Sequence, residues 1–306
     1  MNGPDEPARR PFGLLAVAAA IMCFSVSSTI IKKSGMPGTT LAFWRMVITA
    51  VMWWAILGAT ERRVVTRAEL RRALVPGVIF GLNITLFFSG VTHTAVANAE
   101  FIGSLTPLIV VPAGALLYHE RLNVRSLAFG LVSLTGLTIV LFNAPPRGEA
   151  AWDGNLMVVS AMLLWALYLL TTRRPRASMS VAAIMASVMP VASITILPIV
   201  VVRGEITDIS GWDWLYVVVL AVLTGTVAHG LIVFAQHSVP VGTIGILQVA
   251  QPALAVGWAY LLLDQSLRRV QVVGMAMVIS GLVAVVVTGR VASARQQDGE
   301  LAGTAG

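Results

Sequence analysis

Long apolar runs dominate the chain, and short polar segments separate them. Most of the ten runs contain 18 to 24 residues, which suits the roughly 20 residues that a helix needs to cross the hydrocarbon core of a membrane. Polar and apolar positions do not alternate within the runs, so transmembrane strands are not indicated. The pattern predicts an all-α integral membrane protein with about ten spans, at approximately residues 12–31, 39–58, 73–92, 95–118, 125–142, 154–172, 180–202, 213–235, 238–263 and 270–288.

The chain also repeats itself at a distance of 145 residues. Pro107 and Gly136 in the first copy match Pro252 and Gly281 in the second, and both intervals are 29 residues. Five spans in each copy is an odd number, so we expect the second copy to enter the membrane inverted relative to the first. Such a 5+5 inverted repeat is typical of transporters that are built from two like halves.

Lysine and arginine predict the orientation of the spans. With the N-terminus in the cytoplasm, 14 of these residues fall in inside segments and 6 in outside segments, which follows the positive-inside rule. We therefore expect a multi-pass protein of the cytoplasmic membrane with both termini inside. The predicted division is a cytoplasmic tail at 1–11, a first five-helix repeat at 12–142, a linker at 143–153, a second five-helix repeat at 154–288 and a cytoplasmic tail at 289–306.

Composition supports a lipid environment. The 306 residues are 57% hydrophobic and 11% charged, whereas soluble domains carry about 25% charged residues. The net charge of +7 does not indicate nucleic-acid binding, because most basic residues lie in short loops where they orient helices. The single cysteine, Cys23, excludes a disulfide framework.

Two ionisable residues lie inside predicted spans, where such residues are costly and usually functional. Arg45 is about six residues into span 2 and Glu100 about six residues into span 4, so both lie about 9 Å below the outer boundary. They either pair as an outer gate or line one aqueous cavity, with Glu100 as a substrate and proton site. Alternatively, Arg45 extends to the interface and Glu100 is a hydrogen-bonded structural carboxyl. Glu100 shares a helical face with Ser104 and Pro107.

Amides, an imidazole and prolines provide further candidates. Gln248 and Gln251 on span 9 could hydrogen-bond a polar solute or bond between helices. Pro107 and Pro252 each remove a backbone donor, so we expect bent helices with freed carbonyls. His229, on the span related to that of Asn83, either lines a cavity or is a neutral packed imidazole.

Aromatic residues divide into deep and terminal groups. Trp165 and Tyr168, three residues apart on span 6, could stack on a solute, although helix packing is the alternative. Tryptophans near the ends of spans, including Trp53, are interpreted as interface anchors.

Several motifs in this order are similar to those of a known family. Trp44-Arg45 opens span 2, residues 95–99 lead to Pro107, and Glu120-Arg121-Leu122 follows. The second half has 242–252 and the glycines Gly274 and Gly281. Over about residues 12–288 the chain resembles the EamA-type carriers of the drug/metabolite transporter superfamily. The resemblance implies a bundle of ten helices that moves small organic solutes, often amino acids or related metabolites, by ion coupling or facilitated flow. The chain departs from the family pattern at Asp264-Gln265, where a glutamate is usual.

The predicted function is therefore secondary transport of a small organic metabolite by alternating access. Spans 3, 4, 8 and 9 hold most of the glycine, proline and polar positions, so we expect them to enclose the solute path. A channel, a flippase for a lipid-linked substrate and, less favoured, an intramembrane enzyme remain alternatives. We expect no cofactor, no metal and no nucleic-acid partner. The expected partners are the solute, a coupling proton and membrane lipid, for a chain that is a monomer or a weak homodimer.

Overall fold

A computed structural model describes residues 6–94, 96–118, 124–142, 152–176, 178–263, 269–270, 272–281 and 283–284. These residues are helical apart from turns and short connections, and no strand occurs among them. The helices are α1 Glu6–Ser25, α2 Ser27–Ser34, α3 Gly38–Glu61, α4 Arg67–His93, α5 Val96–Ser104, α6 Pro107–Tyr118, α7 Val124–Phe142, α8 Trp152–Arg176, α9 Val181–Val202, α10 Asp213–Leu220, a π-helix Ala221–Ala228, α11 His229–Ala235, α12 Val241–Gln248, α13 Gln251–Leu263 and α14 Val272–Gly281. Outside the described residues lie most of the predicted linker, residues 1–5 of the predicted N-terminal tail, the whole predicted C-terminal tail, and the segments with Glu120 and Asp264-Gln265.

The all-α class is confirmed for this part of the chain. Within the described residues, six helical segments are long and apolar enough to cross a membrane: Pro11–Ser34, Gly38–Glu61, Arg67–His93, Trp152–Arg176, Val181–Val202 and Asp213–Ala235. The other apolar helices of the described residues are shorter, among them Ala128–Ile139, Val241–Ala255 and Val272–Gly281. The chain thus has several membrane-crossing helices together with interrupted ones.

Two predicted spans are broken rather than bent. Span 4 is interrupted between α5 and α6, and span 9 between α12 and α13, at nearly repeat-related positions. Pro107 begins α6, where a missing N–H leaves no hydrogen bond unmade. The carbonyl of Gly103 instead accepts a hydrogen bond from the Thr106 hydroxyl at 2.7 Å. Proline therefore starts a new helix here, whereas the sequence predicted a continuous helix with a kink.

Span 8 contains an eight-residue π-helix that the sequence did not predict. Three side chains of α3, one per turn, donate to carbonyls along this segment. The Arg45 Nε donates to the carbonyl of Leu220 at 3.4 Å, and the Thr49 hydroxyl donates to that of Ala221 at 3.5 Å. The Trp53 indole donates to a third carbonyl, that of residue 225, at 3.5 Å. Trp53 is only 6% exposed, so its interpretation as an interface anchor is wrong.

Packing between helices places the interrupted segments at the centre. Helix α4 packs between α8 and α9, α6 packs on α12, and α5 packs on α13. A Cβ at Gly136 of α7 would lie 2.7 Å from the carbonyl oxygen of Gly274 on α14, so only a glycine allows this approach. The broken helices therefore face one another across the interior, where they form part of a cavity.

Candidate functional site

A cavity with an empty volume of about 780 Å³, open solvent included, lies between the helices. Its wall contains residues from α1 to α5, α8, the π-helix and α11 to α13. The structure brings nine sequence-predicted residues together on this wall: Arg45, Asn83, Glu100, Ser104, Trp165, His229, Gln248, Gln251 and Pro252. Tyr168 and Pro107 do not form part of it.

Arg45 is a buried cation without a carboxylate partner. The side chain is 1% exposed, so it does not extend to the protein surface. Its guanidinium carbon lies 5.2 Å from the centroid of the Phe88 ring, a cation–π distance. Among the described residues, the Nη1 atom has no hydrogen-bond partner, and no carboxylate lies within 4.0 Å of the guanidinium. The guanidinium therefore belongs to the cavity wall with one donor atom unmatched by the described residues.

Glu100 is a buried carboxyl whose neighbours are neutral. The residue is 3% exposed, and the Ser28 hydroxyl donates a hydrogen bond to its Oε1 atom. The side-chain amide of Gln251 also lies in hydrogen-bonding reach of the carboxyl. No cation in the described part of the chain lies within 4.0 Å of it. Arg45 and Glu100 thus line the same cavity and do not pair with each other.

His229 and Asn83 are held by backbone carbonyls. The imidazole Nδ1 must donate to the carbonyl of Thr224, because that oxygen can only accept. The rings of Phe24 and Phe80 lie 4.7 Å from the imidazole centroid. The Asn83 amide donates to the carbonyl of Ala161 at 2.7 Å. Both side chains are therefore oriented before any solute arrives.

Trp165 and Gln248 form one polar contact across the cavity wall. The indole of Trp165 donates to the Gln248 Oε1 at 3.1 Å. Tyr168 is fully buried and stacks on Trp165, with centroids 5.3 Å apart, and on Phe80. Tyr168 therefore supports the wall without forming it, because neighbouring rings cover it. Ser104, 4% exposed, belongs to the wall itself.

The sequence did not single out the contribution of span 1. Phe24 and Ser27 line the cavity, and Ser28 bonds Glu100. A signal exists in the short polar stretch Ser25–Thr29 inside an otherwise apolar run. Phe88 was also missed, since a phenylalanine in a span carries no sign that a buried cation will lie over its ring.

The wall as a whole combines opposite charges with apolar surface. One guanidinium, one carboxyl, one imidazole and several amides lie among aromatic and aliphatic side chains. Among the residues that the structure describes, no three His, Cys, Asp or Glu side chains are grouped closely enough to hold a metal ion.

Comparison with known proteins identifies the family. The model of the EamA-like transporter family matches residues 11–142 and again residues 152–287. The chain belongs to the EamA-like transporter family. This EamA-like transporter is 25% identical over 292 residues to the uncharacterized transporter YetK of Bacillus subtilis, a match that covers 91% of this chain and 88% of YetK. It is 23% identical over 279 residues to the threonine/homoserine exporter RhtA of Salmonella typhimurium, with 87% of each chain covered.

A solved crystal structure shares the fold of this EamA-like transporter. The two superimpose with a TM-score of 0.78 over 92% of this chain and 98% of the other, at 20% sequence identity. The resemblance to EamA-type carriers is thus confirmed, and the chain is a multi-pass membrane transporter. Its family and these relatives are transporters rather than enzymes.

Proposed function

We propose that this EamA-like transporter is a secondary carrier of a small zwitterionic metabolite, an amino acid or a related solute. The observation that supports this proposal is the pair of unmatched opposite charges on one cavity wall. Arg45 has a donor atom without a partner, and Glu100 has only neutral hydrogen-bond donors. An amino acid carries both complementary groups, and the relative RhtA is named for two amino acids.

The energetics favour a zwitterion over a neutral solute. Each buried charge costs roughly 2.5–3.5 kcal/mol at the centre of a membrane-spanning helix. A solute carboxylate on Arg45 would form charge-assisted hydrogen bonds, each contributing about 1.5–3 kcal/mol. A solute ammonium would do the same for Glu100. A neutral molecule of equal size would leave both charges unpaired, so we expect it to bind far more weakly.

Alternating access is proposed from the arrangement of the two halves. We take residues 12–142 and 154–288 as two oppositely inserted five-helix units, with both termini in the cytoplasm. The support is the 145-residue repeat together with the packing of α6 on α12 and α5 on α13. Interrupted helices at the centre of such a pair are typical of secondary transporters. Exchange of conformations between the halves would open the cavity to one side at a time.

Glu100 is proposed as the site of a coupling proton. When no solute ammonium is present, a proton on the carboxyl would remove the same unpaired charge. Competition between proton and solute at one carboxyl would couple their movements. The hydrogen bond from Ser28 keeps the carboxyl in place in either condition.

Counterflow in proteoliposomes tests the proposal. A thermal-shift screen against zwitterionic, anionic and cationic metabolites first identifies a solute. Vesicles with purified protein are then loaded with excess unlabelled solute, and uptake of labelled solute is followed. A carrier accumulates label transiently above equilibrium because of trans-stimulation, whereas a channel or a lipid flippase does not. If none of the solutes that stabilise the protein gives a transient accumulation of label above equilibrium, the carrier proposal is rejected.

A further inference from the structure

A second cavity opens at one end of the helices, away from the central one. It has an empty volume of about 1150 Å³ and lies between the first turns of α4 and the last turns of α6 and α8. No residue of its wall belongs to the central cavity. We call this cavity the terminal groove. The same end of the protein carries clustered arginines at 62–72 and 173–176, which the positive-inside rule predicts to be cytoplasmic.

The terminal groove has an apolar wall that faces outward. Val75 of α4 is 62% exposed, Leu117 of α6 is 55% exposed and Leu167 of α8 is 44% exposed. Together they give the groove an exposed apolar surface, a feature that marks membrane or ligand contact sites. The Tyr118 hydroxyl, which could otherwise bind a ligand, donates to the carbonyl of Leu170. The apolar wall of the terminal groove is therefore suited to acyl chains.

Two arginines form the polar mouth of the groove. Among the described residues, the side chain of Arg72 donates only to the Ser178 hydroxyl, at 3.3 Å. Arg174 is exposed and forms no hydrogen bond or ion pair within the described part of the chain. Arg63 and Arg176 are engaged, because Arg63 is ion-paired with glutamates and Arg176 donates to backbone carbonyls. Arg67 and Arg71 form no ion pair among the described residues, but they do not belong to the groove wall. At the groove, guanidinium groups without a carboxylate partner among the described residues adjoin an apolar surface.

We propose that the terminal groove binds one anionic phospholipid of the adjacent leaflet. Its phosphate lies between Arg72 and Arg174, and its acyl chains run along Val75, Leu117 and Leu167. Guanidinium groups match phosphate oxygens with paired, charge-assisted hydrogen bonds. Basic pockets between membrane helices on the cytoplasmic side suit anionic head groups. A zwitterionic lipid would fill the same apolar wall but would bring its own cation to the arginines.

Native mass spectrometry of the detergent-purified full chain tests this assignment. Phosphatidylglycerol and phosphatidylcholine with the same acyl chains are titrated, and the dissociation constant of the first bound lipid is measured for each. The groove variant is Arg72→Gln/Arg174→Gln. The matched control is Arg67→Gln/Arg71→Gln, which removes equal charge from the same end of the protein and leaves the groove wall unchanged. Each variant is also melted without lipid to verify folding.

We expect wild type to bind phosphatidylglycerol at least about tenfold more tightly than phosphatidylcholine. The groove variant should lose about that factor for phosphatidylglycerol alone, and the control variant should lose less than about twofold. Inorganic phosphate should not displace the lipid, because it lacks the apolar part. Equal losses in the two variants, equal affinity for the two lipids, or displacement by phosphate would each overturn the proposal. If the double variant does not fold, Arg174→Gln alone, which removes no contact, gives the same comparison.

Discussion

Replacement of Arg45 by glutamine should weaken solute binding without weakening the fold. The substitution removes the cation that we assign to the solute carboxylate. Hydrogen bonds to charged groups contribute about 1.5–3 kcal/mol, and 1.4 kcal/mol corresponds to a factor of ten. We therefore expect the affinity for the solute to fall by about tenfold to about a hundredfold.

The stability of the solute-free protein should not fall, because the Arg45 guanidinium has poorly matched hydrogen-bond donors when no solute is bound. Its Nη1 atom has no partner, and its Nε atom makes one long hydrogen bond of 3.4 Å. A buried unsatisfied donor costs about 1–3 kcal/mol, whereas a cation–π contact like that with Phe88 contributes about 0.5–2 kcal/mol. These contributions nearly cancel, so the melting temperature without solute should stay the same or rise slightly.

Two measurements on the same preparation separate these effects. The dissociation constant is measured by thermal shift against solute concentration, and the melting temperature is measured without solute. Arg72→Gln, which changes an arginine far from the central cavity, is the charge-matched control. A large drop in melting temperature with unchanged affinity would show that Arg45 is a structural residue, and our reasoning on the cavity would be refuted.

Three further outcomes are expected. A Cβ at position 225 would clash with the Thr49 hydroxyl and lie 3.1 Å from the Thr49 Cγ2 atom, so Gly225→Ala should cost about 1–3 kcal/mol of stability. Thr49→Ala in the same chain removes both atoms and should restore part of the melting temperature; no restoration would contradict the contact. Glu100→Gln should abolish any acceleration of uptake by a proton gradient while solute exchange stays measurable, because an amide cannot bind and release a proton. An acceleration that persists in vesicles with this variant would show that Glu100 is not the coupling site. The Glu69 and Glu61 carboxylates raise the pKa of Arg63, so the stabilising effect of Arg63 is complete below the ordinary arginine value of 12.5 and is lost only as pH rises above that range. Arg63→Gln should therefore lower the melting temperature equally at about pH 6 and about pH 9, and a difference between the two pH values would contradict this pKa shift.

The helical class was predictable because the apolar runs are long and their ends are marked. Predicted span 2 at about 39–58 corresponds to α3, Gly38–Glu61, and span 7 at about 180–202 to α9, Val181–Val202. The Ser180 hydroxyl accepts from the backbone N–H of Ala183 and marks the start of α9. The common location of Arg45 and Glu100 was also predictable, since an ionisable residue in a span must face the protein interior or water.

Other features depend on contacts that a linear pattern does not contain. The π-helix accepts hydrogen bonds from α3 that are remote in sequence, such as that from Thr49 to Ala221, which are 172 positions apart. The break before Pro107 depends on the Thr106 hydroxyl, which bonds a carbonyl of the preceding turn. Tyr168 is an aromatic residue of the kind that often contacts solutes, but the rings of Trp165 and Phe80 cover it. Such tertiary arrangements override local propensity.

The charge assignment of the central cavity is tested most directly by pairing variants with altered solutes. Affinity is measured for the identified solute, for its methyl ester, which lacks the carboxylate, and for its N-acetyl form, which lacks the ammonium. Wild type should prefer the zwitterion to both derivatives. Arg45→Gln should lose only the preference over the ester, and Glu100→Gln only the preference over the N-acetyl form. Unchanged preferences in both variants would contradict the claim that these two side chains bind the solute.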